Sequence, residues 1–240
     1  MLTPQGYHDL IEAFGAPGCA ICQVTGRMVT RHIEALLYEY VNDIDTQAAF
    51  RAARGLCSEH AAQAAALRGY VLGVAILYRA SVDEALHILA AARTKGAGEG
   101  VLARLLRRDA QPGPALAAAL EPSGECPACV FMAEVEDRFA GILAERLDDD
   151  RLLAAYRSSD GLCLPHFRLV LGMVRDAADV GRLVDLQTAI WAHLHEGLTT
   201  FIEKYDHNHR APMGDESDSP RRAIQALAGD REVFGLRCRR

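Results

Sequence analysis

The chain has 240 residues, half of them apolar, about a quarter charged and 6% aromatic, with a formal net charge of −6 from 26 basic and 32 acidic side chains. That is enough apolar material for a sizeable core in one or two domains, and it excludes a predominantly disordered chain. The acidic balance gives no electrostatic case for a nucleic-acid binder, and the basic clusters at Arg104–Arg108 and in the C-terminal "LRCRR" are short.

Met1 to Gly18 lacks a basic segment followed by an apolar run, and the longest apolar stretch, Val71 to Tyr78, falls well short of the roughly 20 residues a membrane span needs. The expectation is a cytoplasmic protein with no membrane partner. In that reducing compartment seven cysteines point to metal or thiol chemistry before disulfides.

In chain order, residues 1–18 read as an N-terminal helix. Residues 19–93 form a first helical unit, and residues 126–209 repeat it. Cys19-x-x-Cys22 is followed by Cys57-x-x-His60, and Cys126-x-x-Cys129 by Cys163-x-x-His166, so six of the seven cysteines belong to one pattern that occurs twice. Flanking residues repeat too: Gly55-Leu56-Cys57 answers Gly161-Leu162-Cys163, and Phe50 answers Tyr156. After the first Cys pair, Ile21, Val24, Met28, Ile33, Leu36, Leu37 and Tyr40 recur at three-to-four spacing; Phe131, Val135, Phe139, Ile142 and Leu143 do so after the second. Each run predicts a long amphipathic helix.

A short helix follows in each unit, opened by Asp45-Thr46 or by Asp148–Asp150 and ended at Gly55 or Gly161. The Cys-x-x-His segment opens a third helix. A fourth runs from about Tyr70 to Arg93 and from about Val180 to Tyr205. Residues 94–125, with Gly-Ala-Gly and Gln111-Pro112-Gly113-Pro114, read as a linker carrying one short helix. Residues 210–240 read as a loop and a helical strap, with Ser219 as N-cap, Pro220 in the first turn and Gly229 at the end. The fold class is therefore all-α: two tandem, pseudosymmetric four-helix units, each stapled at one end by a Cys3His metal site.

Two residues between ligands let the backbone aim both side chains at one ion, so a Cys-x-x-Cys and a Cys-x-x-His together fill a tetrahedral coordination sphere. The spacing assigns Cys19, Cys22, Cys57 and His60 to one site and Cys126, Cys129, Cys163 and His166 to the other. Four protein ligands leave no position for a reactive water, so two structural Zn²⁺ ions per chain are expected. The same residues are also compatible with an iron–sulfur cluster, with thiol redox chemistry, or with buried cysteines that bind nothing. Cys238 lies outside the pattern and reads as a free thiol.

The segments "GCAIC", "GLCSEH", "CPAC", "GLCLPH" and "FIEKYDHNHRAPMGDESDSPRRAIQALAG" together resemble a bacterial family of unknown function defined by this doubled Cys and His pattern. The resemblance runs from Gly18 to Gly229. In the tail it includes Lys204, Asp206, Arg210, Pro212, Met213, Gly214, Arg221 and Arg222. It implies metal binding and no particular activity.

Other titratable groups crowd the end of the second long helix: His193, His195, Glu196, Glu203, Asp206, His207 and His209. Glu203 with His207 and Asp206 with His209 share helix faces, which suits a second metal or an acid–base pair, although a solvated polar helix end is the plainer reading. His87 and His193 follow Cys57 and Cys163 at equal distance and suit satisfied core or boundary positions. A di-iron centre built on Glu84 and His87 would need a matching Glu where the second unit has Ile190. Arg210, Arg221 and Arg222 suit a small anion. No GxGxxG, Walker loop, nucleophile elbow, Ser-His-Asp order or HExxH is present. The expected role is a binding, adaptor or regulatory module with a protein partner, self or other; the alternatives are a redox protein using the same ligands and an enzyme using the cluster at 193–209.

Overall fold

A computed structural model describes residues 4–97, 112–205 and 212–230. Among them the chain forms helices and no strands, as the periodicity requires. They are α1 (Pro4–Phe14), α2 (Ala20–Tyr38), α3 (Ile44–Ala53), α4 (Ser58–Ala66), α5 (Val71–Ala97), α6 (Pro112–Leu120), α7 (Pro127–Ala144), α8 (Asp150–Arg157), α9 (Leu164–Met173), α10 (Ala177–Tyr205) and α11 (Ser219–Ala228), with a 3₁₀ turn at Asp215–Asp218.

Several expected caps shift by a few residues. The N-cap of α3 is Asp43, whose side chain accepts the Thr46 N–H, so Asp45 lies inside the helix rather than opening it. Asp218, not Ser219, precedes α11. Gly55 does end α3, at φ +100 with its N–H on Phe50 O, and an added Cβ would lie 2.9 Å from the Tyr78 ring. Gly161 lies beyond the end of α8, which stops at Arg157. Tyr40 is exposed and outside α2, whereas Val29 is fully buried on it.

The chain divides into two compact units: unit 1, Met1–Met28 with Met132–Arg240, and unit 2, Val29–Phe131. These do not coincide with the sequence repeats. The boundary falls inside α2 and again inside α7, so each unit contains the start of one long helix and the end of the other.

In unit 1 the core comprises Leu10 and Phe14 of α1, Ile21 and Val24 of α2, Met132, Val135 and Phe139 of α7, and Leu152 and Tyr156 of α8. Phe14 stacks on Tyr156 with ring centroids 5.0 Å apart. Tyr156 donates its hydroxyl to Gln187 Oε1, which also accepts the Leu162 N–H, while Gln187 Nε2 donates to Leu162 O. One buried amide on α10 thus fixes the backbone next to Cys163. The strap is tied down by charge: Lys204 Nζ lies 2.9 Å from Glu216 and donates to Pro212 O, and Arg222 meets Asp160 at 2.8 Å.

Unit 2 is built on Ile33, Leu36, Leu37, Phe50, Ala64 and Leu77. Helix α5 packs on α3 and approaches α2 so closely that a Cβ on Gly73 would lie 1.8 Å from Leu37 O. The N–H groups of Ser123 and Gly124 both donate to Ala52 O, which brings the segment before Cys126 against the end of α3, a few residues before Cys57.

Candidate metal centres

Each of the four Cys/His dyads opens a helix. The carbonyls of Cys19, Cys57, Cys126 and Cys163 accept the first-turn N–H groups of Gln23, Ala61, Val130 and Phe167, so the first residue of every dyad occupies the cap position and the second sits one turn in. Free N–H groups and the helix dipole at such an end favour thiolates.

The dyads combine in a different way from the sequence expectation. Cys19 and Cys22 gather with Cys163 and His166 in unit 1, and Cys57 and His60 gather with Cys126 and Cys129 in unit 2. All eight residues fall into two Cys3His groups, but Cys19, Cys22, Cys57 and His60 do not form one, nor do Cys126, Cys129, Cys163 and His166. The unit boundary explains why. Helix α2, 19 residues and about 28 Å long at 1.5 Å per residue, begins in unit 1 with its Cys pair and from Val29 onward belongs to unit 2, together with α3 and α4. The Cys-x-x-His that opens α4 therefore lies in unit 2 and gathers with Cys126 and Cys129.

In unit 1, His166 Nδ1 lies 3.4, 3.3 and 3.2 Å from the sulfurs of Cys19, Cys22 and Cys163, and the Cys22 and Cys163 sulfurs are 3.8 Å apart. In unit 2, His60 Nδ1 lies 3.3, 3.6 and 3.4 Å from Cys57, Cys126 and Cys129, with Cys57 and Cys129 sulfurs 3.6 Å apart. A tetrahedral ion with bonds of about 2.3 Å to sulfur and about 2.05 Å to nitrogen spaces its ligands about 3.8 Å (S to S) and about 3.6 Å (S to N). Both groups match a single four-coordinate ion, so their donor set and spacing fit one metal each.

The surroundings differ. In unit 1 all four ligands are buried, the Asp230 N–H points at Cys22 Sγ from 3.5 Å, and a Cβ added at Gly229 would lie 3.6 Å from Cys163 Sγ and 3.9 Å from Cys22 Sγ. His166 Nε2 faces Glu136 Oε1 at 3.3 Å, with Glu136 fully buried, the arrangement that orients a ligating imidazole from behind. In unit 2 the three cysteines are half-buried, and the buried His60 Nε2 has no partner.

The thiols within each group set one another's acidity. Hydrogen bonding from Cys129 holds Cys126 down at about 3, against burial and with help from His60. Burial alone would raise Cys19, but hydrogen bonds from Cys163 and Cys22 and the adjacent His166 bring it well below the ordinary thiol range. Burial raises Cys57. Each group so contains one readily ionised sulfur beside others that keep their protons until a cation replaces them.

The remaining sequence candidates divide plainly. His193 and His195 are exposed, His193 lying 4.0 Å from Glu196, and His87 is exposed as well, so neither His87 nor His193 is a core residue. Glu84 sits 4.0 Å from Arg54. Among the described residues no Cys, His, Asp or Glu group other than the two centres gathers as metal ligands. Arg222 is paired with Asp160, and Arg221 with Asp218 and Gln225. Asp206, His207, His209, Arg210, Cys238 and Arg104–Arg108 lie outside the described residues.

Three contributors escaped the motif reading. Glu136 falls in register with Met132, Val135 and Phe139 on the apolar stripe of α7, and a carboxylate at such a position is a legible signal of a buried partner. Asp160 accepts the Gly18 N–H at 2.8 Å and Arg222 at the same distance, fixing the residue before Cys19 to the strap. Gln187 has no sequence signal beyond its place on the apolar face of α10.

A family model matches residues 10–233, and the chain belongs to that family, described as a family of unknown function (DUF6062). No curated protein and no solved structure matches it.

Proposed function

We propose that this member of a family without an assigned activity holds one Zn²⁺ in each Cys3His centre, that both ions are structural, and that the chain works as a metal-supported binding or regulatory module for a protein partner. The observation that carries the metal reading is the ligand spacing, 3.2–3.8 Å in unit 1 and 3.3–3.6 Å in unit 2. An iron–sulfur cluster attaches its protein ligands to different irons and spreads them farther apart. Three thiolates and one imidazole are the donor set of structural zinc, and four protein ligands leave no open position for a catalytic water. A bound ion contributes about 10–16 kcal/mol of folding linkage, comparable with the whole stability of a domain. The exposed apolar side chains of unit 2, Tyr38, Ile44, Val71 and Leu72, support a binding role for it.

The test is elemental analysis of the purified full chain. The expected result is a colourless protein with two zinc ions per chain, one of which is lost in Cys57→Ser and the other in Cys163→Ser. Brown protein with iron and labile sulfide refutes the reading.

A further inference from the structure

The two centres share a ligand set and differ in their protection. In unit 1 the cysteines are buried: Cys19, Cys22 and Cys163 are 7%, 2% and 1% exposed, the Asp230 N–H meets Cys22 Sγ, and Glu136 backs the imidazole. In unit 2 all three cysteines are half-buried. His60 is as deeply buried as His166, yet its Nε2 has no partner. The repeat explains the difference: Glu136 follows Cys129 at the interval by which Val29 follows Cys22, so the copy that would back His60 has a hydrocarbon in place of a carboxylate. A carboxylate behind a ligating histidine is worth about 10–100-fold in metal affinity.

We propose that the centre of unit 2 is a site of reversible oxidation by hydrogen peroxide, releasing its ion while the centre of unit 1 stays reduced and loaded. This rests on the metal reading above. One accessible thiolate attacks the peroxide O–O bond, forming an S–O bond and expelling hydroxide. A second sulfur of the same centre attacks that sulfur, forming the S–S bond as the S–O bond breaks and a second hydroxide leaves. Two sulfurs together give up two electrons, the peroxide takes them, and both hydroxides are protonated by solvent. Cys57 and Cys129, with sulfurs 3.6 Å apart, stand within reach of such a step. The ion is left with one sulfur and His60 and departs. A thiol reductant reverses the disulfide and restores the site.

The experiment uses the full chain carrying Cys238→Ser, loaded with zinc and measured before any oxidant is added. Fewer than two ions per chain at that stage refutes the metal reading, independently of any result with oxidant. Hydrogen peroxide is then added in graded amounts, released zinc is followed with a chromogenic chelator, and thiols are alkylated under denaturing conditions for peptide mass mapping. The expected result is release of one ion at least about tenfold faster than the other. It is accompanied by a disulfide among Cys57, Cys126 and Cys129, with Cys19, Cys22 and Cys163 recovered as alkylated thiols. Release of both ions at one rate, or a disulfide first among Cys19, Cys22 and Cys163, overturns the proposal.

Discussion

Replacing Cys19 by serine tests the exchanged pairing directly. Cys19 Sγ stands 3.4 Å from His166 Nδ1, and His166 lies in the first turn of α9; Cys57 and His60, at the start of α4, belong to the other centre. If the four ligands share a folding linkage of about 10–16 kcal/mol equally, losing one removes about 2.5–4 kcal/mol. At about 1.4 kcal/mol per tenfold that is a roughly 60- to 700-fold rise in local opening. Amide hydrogen exchange read by mass spectrometry on the zinc-loaded chain should show this rise in peptides spanning Leu164–Met173, with those spanning Ser58–Ala66 unchanged. Cys126→Ser should give the converse, loosening Ser58–Ala66 and sparing Leu164–Met173. Loosening of α4 but not α9 in Cys19→Ser would refute the pairing and restore the within-repeat sites that the sequence spacing suggests.

Glu136→Gln keeps the shape but weakens the acceptor behind His166, and should lower zinc affinity in unit 1 by about 10–100-fold without touching unit 2, as read by chelator competition. Gly73→Ala drives a Cβ into a backbone carbonyl that cannot swing away, and should cost about 1–3 kcal/mol in urea unfolding. Gly172→Ala, whose added Cβ would meet nothing within 4 Å beyond its own helix backbone, should cost nothing and gain up to about 1 kcal/mol of helix propensity; equal effects of the two would refute the packing argument. Asp149 caps α8 through the Leu152 N–H and accepts the Tyr7 hydroxyl, so Asp149→Ala should cost about 1 kcal/mol at neutral pH. Its carboxyl is held below the usual range first by the Leu152 N–H. The cap therefore stabilises fully above the unfolded value near 4, and the gap between parent and variant should close as pH falls through the lower folded value. A gap unchanged at low pH would show that the cap does not act through its charge.

The helices were legible because their signals are local: apolar spacing in α2 and α7, Asp149 before α8, Gly55 after α3, and a Cys-x-x-His at the start of both α4 and α9. The ligand residues were legible for the same reason, since a dyad needs only one helical turn to aim its two side chains. Their partnership was not. Which dyad meets which depends on how the long helices are shared between the two units, a tertiary property that equal spacing in the two repeats conceals. Glu136 belongs to no motif and adjoins the acidic Glu134 and Asp137, although it shares the register of Val135 and Phe139 and is fully buried. Lys204 and Arg222 stood out in the tail, but their partners, Glu216 and Asp160, are set by the way the strap returns over α10.

The exchange of ligands orders events during synthesis. Cys22 and Cys163 are 141 positions apart, and the Cys57-to-Cys129 pair, 72 positions apart, is nested within that span like an inner bracket. At about 5–20 residues per second, the first cysteine pair waits roughly 7–28 s for its true partner to be translated. Meanwhile the wrong partner, Cys57 and His60, has already emerged, so a nascent chain carries a complete but mismatched ligand quartet. Only the later arrival of Cys163 and His166 supplies the residues with which the first pair gathers in the folded chain.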